Sequence, residues 1–278
     1  MTTSSESTEA TPPVVRGLLA VGFVFSIAEV TAWITVLVVA FDRGGAGAAG
    51  LAVVVQLVPT ALLAPVVTAA GDRFPRHLVL TVGFAVLATS ATGIAVSLAS
   101  SADLWVVLLL AVAYTVALES TPATVASLLV RHARTPTQLM QWNVAQSAAQ
   151  TAGSLLGPLL TSAVLVVAGP SWVFAVLAVM CAITAVGIAV RLPPDDRTNS
   201  TTGLRTVLRA STDGIAYVAT TPGPRRVIAF IAASGLLIGS FDVFFVAVAF
   251  DELGRGGSAA AMLSAGFAAG GLVASAVM

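Results

Sequence analysis

A chain of 278 residues that is 57% hydrophobic and only 9% charged, with a mean hydropathy of +0.97, is too apolar for a water-soluble domain. Its formal net charge is zero, so overall balance points to no nucleic-acid or acidic partner. What remains is an all-α, polytopic membrane protein.

Residues 1–15, MTTSSESTEATPPVV, are rich in Ser, Thr, Glu and Pro. They cannot bury enough apolar surface to order themselves, and they lack the basic start and short apolar core of a signal peptide. A disordered tail that stays on the chain is expected there. Crossing about 30 Å of hydrocarbon takes about 20 apolar residues in a helix, the form that satisfies its own backbone in lipid. By that measure the sequence predicts eight spans, near 17–41, 47–70, 78–100, 104–127, 140–167, 171–190, 227–250 and 258–278.

All thirteen basic residues are arginine, which with the abundance of Ala, Val and Gly points to a GC-rich bacterial genome. With the N-terminus in the cytoplasm, every arginine except Arg43 and Arg255 falls on the cytoplasmic side. That asymmetry is a strong positive-inside signal, and it implies a multi-pass protein of the bacterial inner membrane. Trp105 and Trp172 fall at the outer ends of spans four and six, and Trp142 at the inner end of span five, where amphipathic rings settle. The first six spans have short connections. Residues 192–224 then form a long cytoplasmic segment, in which 203–218 carries apolar residues at helical spacing opposite Arg205, Arg209 and Asp213. This segment reads either as an interfacial helix against anionic lipid or as a solvated linker. The expected division is a tail at 1–15, a six-helix bundle at 16–191, a linker at 192–224 and two further helices at 225–278.

Three carboxylates lie within spans: Glu29, Glu119 and Asp242. Each costs several kcal/mol at bilayer depth, on the order of 2.5–3.5 by insertion scales, unless hydrated, paired or protonated. No span contains Arg or Lys to pair with them. Ser26, Glu29 and Trp33 share one helix face, as a cavity-lining stripe would. Glu29 is a candidate proton carrier; the alternative is a neutral carboxyl hydrogen-bonded between helices. Asp242, beside Ser240, is open between the same two readings. Glu119, near the cytoplasmic end of its span, is expected to snorkel to water. In span five Asn143, Gln146, Ser147, Gln150 and Ser154 align on one face, either as a water-lined pathway or as interhelical glue. Gly153, Gly157 and Pro158 follow on the same helix, and Gly235 and Gly239 repeat the small-residue spacing in span seven.

The turn Gly71-Asp72-Arg73-Phe74-Pro75-Arg76-His77 separates spans two and three. It keeps a D-R-x-x-R core and thereby resembles the loop motif of the major facilitator superfamily, while departing from it at Thr68, Pro75 and His77. Gly153–Pro158 is similar to the core of that family's antiporter motif, although Thr161-Ser162 stand where two glycines are usual. The 6+loop+2 layout extends the likeness over residues 16–278, and in style it looks most like drug- and siderophore-exporting branches. The resemblance implies a secondary transporter for small, amphipathic molecules, working by alternating access, coupled to protons and directed to efflux, with no cofactor. It implies that Asp72, Arg73 and Arg76 belong to a conformational lock on the cytoplasmic side. The residues read as the proton or substrate pathway are Glu29, Trp33, Asn143, Gln146, Gln150 and Asp242. The family fold has twelve helices, so a fragment of a longer transporter is expected, or else a chain that acts only by assembly with another. An enzyme is disfavoured: His77 and His132 are the only histidines, both in loops, and no span offers a catalytic pair or a metal cluster.

Overall fold

The computed structural model describes residues 12–71, 74–192, 217 and 220–277, and among these every regular element is helical. The order is α1 (Pro13–Gly71), α2 (Arg76–Ala99), α3 (Leu104–Leu118), α4 (Ser120–His132), α5 (Pro136–Val167), α6 (Pro170–Arg191), α7 (Pro222–Ala247), a π turn (Val248–Glu252) and α8 (Gly256–Val277). Asp72, Arg73 and most of the 203–218 segment lie outside the described residues.

Each expected span falls on a helix. Spans one and two are the two arms of α1, which meet at Gly44 and Gly45. Gly45 has φ 64° and ψ −162°, a conformation in which a Cβ would clash, so glycine is what allows the chain to turn there. Span four is divided. Pro122 has no N–H for the Leu118 carbonyl and its ring crowds that group, so the helix is interrupted at Glu119 between α3 and α4.

Because lipid tails are as apolar as leucine, helix association here depends on close packing and polar contacts rather than on apolar burial alone. Packing singles out α1 as the central helix. Of its most apolar stretch 72% is buried in protein, against 28% to 39% in the spans from α2 to α6. A large cluster joins its inner face to α2, α3, α4 and α6 around Phe84, Tyr114, Leu129, Phe174 and Leu177. Trp142 belongs to that cluster; it is buried in the core, not placed at the lipid boundary where its position in the sequence puts it. Trp105 and Trp172 are exposed, as interface residues are.

A second cluster sits at the end of the bundle that carries Arg43 and Arg255. There Ile34, Leu37, Val38 and Phe41 of α1 pack against Val246, Ala249 and Ala259–Ala261 of α7, the π turn and α8. Ser162 of α5 donates to the Ser258 carbonyl at 3.1 Å, and a cavity of about 410 Å³ collects Asp42, Arg43, Ser171 and Arg255. At the opposite, arginine-rich end, α7 stands away from the first six spans: Arg225, Arg226, Val227, Ile228 and Phe230 are exposed. The two groups of helices therefore pack closely at the Arg43/Arg255 end, where α8 lies against α5 and α1.

Candidate functional site

The site is built on α1, and α5 fixes one side of it. Gly22 lies so close to Gln146 of α5 that the Gln146 amide occupies the space a side chain would need. One turn on, the Ser26 and Ser154 hydroxyls hydrogen-bond at 2.6 Å. A Cβ at Gly153 would meet the Phe23 carbonyl oxygen at 2.6 Å, and Thr31 donates to the Gly157 carbonyl at 3.1 Å. The polar stripe of α5 is thus divided. Gln146 and Ser154 face α1, and Gln150 is half-buried; Asn143 and Ser147 line a groove of about 460 Å³ with Leu139, Met140 and Val144. Gly153 and Gly157 are the close-approach residues, and Pro158 is buried beside them.

Replacing Ser26 and Ser154 by alanine, singly and together, tests this contact. A coupling energy of about 0.6 kcal/mol is expected, the average for hydrogen bonds between membrane helices. Unfolding in detergent measures it, and strictly additive single effects would contradict the contact.

On the next turn of α1 the environment changes. Ser26 and Ala28 are buried, while Glu29 is exposed. Its carboxylate is within electrostatic reach of Glu119, held at the break that Pro122 makes between α3 and α4. Next to Glu29 in α1, the Ala28 carbonyl accepts from the Tyr114 hydroxyl of α3 at 3.2 Å. Glu119, expected to snorkel to water, is exposed, and the fold also brings it within reach of Glu29. The signal available was Pro122, three residues on.

One more turn along α1, Trp33 leaves this pair and crosses to the other group of helices. Its indole Nε1–H donates to Asp242 Oδ2 of α7 at 2.9 Å. Glu29 and Trp33 therefore follow one another along α1, Trp33 reaches Asp242 across the seam, and Asn143 lies on the α5 groove towards the arginine-rich end. Of the expected lock, Arg76 begins α2, and Asp72 and Arg73 lie outside the described residues.

The chemistry on offer is acid–base and hydrogen-bonding. Among the described residues no three His, Cys, Asp or Glu side chains gather as metal ligands. Cys181 is buried beside Tyr114.

A family model described as Major Facilitator Superfamily matches residues 18–278, nearly the whole chain. No curated protein matches it.

Proposed function

Because the chain belongs to the major facilitator superfamily and is therefore a multi-pass membrane transporter, we propose that it exports small amphipathic molecules in exchange for protons, with Glu29 carrying the proton. The observation behind this reading is the accessible Glu29 carboxylate with Glu119 in reach, in spans that hold no cation to neutralise either. Two carboxylates that feel each other repel when both are charged. A proton, or a cationic group of a substrate, relieves that repulsion. Competition between the two for one place is the chemical basis of exchange.

In this reading the arginine-rich end faces the cytoplasm of a bacterial cell, as the positive-inside asymmetry favours. Residues 16–191 form one rocking unit and residues 225–278 belong to the other, joined by 192–224. Asn143 and Gln150 contribute polar wall to the pathway, and Gln146 holds α5 against α1 beside it. Asp72, Arg73 and Arg76 form the lock that closes the cytoplasmic side. An aspartate there can cap a helix N-terminus or pair with a basic group of the other unit when that side is shut.

The test is transport by the full chain in proteoliposomes under an imposed pH gradient, followed with a fluorescent amphipathic dye. Uphill dye movement that stops when a protonophore collapses the gradient is the expected result. Movement indifferent to the gradient would overturn proton coupling.

A further inference from the structure

We propose that Trp33 and Asp242 form a latch that holds the Arg43/Arg255 end of the transporter shut, so that breaking this one hydrogen bond moves the protein towards the state open at that end. The proposal rests on reading the chain as an alternating-access transporter.

The bond joins residues 209 positions apart, on helices that belong to different groups. Among the described residues it is a side-chain-to-side-chain hydrogen bond between those groups, and it lies at the edge of their contact. On one side of it the packed cluster of Ile34, Leu37, Val38, Val246 and Ala259–Ala261 continues to the Arg43/Arg255 end. On the other side Leu237, Ser240 and Phe241 of α7 are exposed, as are Arg225, Arg226, Val227, Ile228 and Phe230. A contact at the edge of a seam is the first to part when the seam opens there and the last to form when it closes.

The packing behind it is suited to parting and re-forming. Small residues at 257–261 meet aliphatic side chains of α1, and Gly257 lies against Val38 with no room for a Cβ. Such a surface seals without interlocking, which leaves directionality to the few polar contacts across it. Asp242 is half-buried, so a carboxylate that loses the indole N–H must find water, which the opened end supplies.

Accessibility of single cysteines in the full chain tests this, using a membrane-impermeant maleimide and the buried, unreactive Cys181 as background. Ala261, fully buried in the seam, reports on the closed end as A261C. Asn143, exposed on the α5 groove near the arginine-rich end, reports on the other as N143C. Trp33→Phe and Asp242→Ala should each raise A261C labelling roughly tenfold and lower N143C labelling, and the double variant should add little to either. Asp242→Asn, which keeps an oxygen acceptor, should fall between wild type and Asp242→Ala.

Reciprocity separates a latch from mere loosening, which raises labelling at A261C and leaves N143C unchanged or higher. That result, or A261C labelling as slow in both variants as in wild type, overturns the latch. Exposed S100C, between α2 and α3, tests orientation separately: reagent on the outer face should label it. Labelling of S100C from the inner face alone would overturn the topology and leave the latch to be read from that side.

Discussion

Glu29→Gln is expected to reduce gradient-driven dye transport to the level of protein-free vesicles, with membrane abundance unchanged. The substitution keeps size and polarity and removes the group that can exchange a proton. Glu29 is exposed, so little packing depends on it. Insertion should gain if it changes at all, because a carboxylate at bilayer depth costs several kcal/mol, on the order of 2.5–3.5 by insertion scales. Downhill movement of dye without a gradient should persist, since the glutamine leaves the cavity in place. Glu119→Gln is expected to be milder: it removes the repulsion and leaves the proton carrier. Gradient-driven transport at the wild-type rate in Glu29→Gln would sink the assignment, whereas loss of both driven and downhill movement would mark Glu29 as a substrate contact.

The helices were legible because the rule that produces them is local. A run of apolar residues as long as the bilayer is thick must be helical, and eight such runs can be read without knowing what touches what. The breaks have equally local causes, though span four was expected to run unbroken: Gly44-Gly45 ends an arm of α1 and Pro122 interrupts span four, each through its own backbone chemistry. Partners were not legible. The stripe on α5 could be read as a face, but nothing in its spacing says that Gln146 and Ser154 meet α1 while Asn143 and Ser147 do not. Trp142 has the position of an interface residue and the burial of a core one, because rotation of a helix about its axis is set by its neighbours. Glu29 and Glu119 were each visible as costly residues, and their proximity required the fold. The Trp33–Asp242 bond depends on how two groups of helices meet, which no local pattern encodes.

The two glycine pairs sharpen that distinction into a second large effect. Gly153/Gly157 and Gly235/Gly239 have the same small-residue spacing. In the fold a Cβ at Gly153 would stand 2.6 Å from the Phe23 carbonyl oxygen and 2.9 Å from Ser26 Cβ, while at Gly235 and Gly239 nothing among the described residues lies within 4 Å. The atoms facing Gly153 belong to the backbone and the Cβ of α1. They cannot swing aside as a flexible side chain can, so α1 and α5 must separate. Inserting even small groups into a packed interior costs typically about 1–3 kcal/mol. Gly153→Val adds a branched side chain there, and separation also sacrifices the Ser26–Ser154 bond and the Thr31 bond to Gly157. A loss of about 3 kcal/mol is therefore expected for Gly153→Val, enough to remove most of the folded protein from the membrane. Gly153→Ala should sit at the lower end of the range. Gly235→Ala should be neutral or slightly stabilising, because alanine holds a helix better than glycine by about 0.5–1 kcal/mol. Unfolding in detergent, alongside membrane abundance, measures all three. Equal effects at Gly153 and Gly235 would mean that α1 and α5 do not approach as closely as their hydrogen bonds require. Unequal effects would place the close helix crossing of this transporter at the wall of its acidic site, where a shift of α5 moves Ser26 and, three residues along, Glu29.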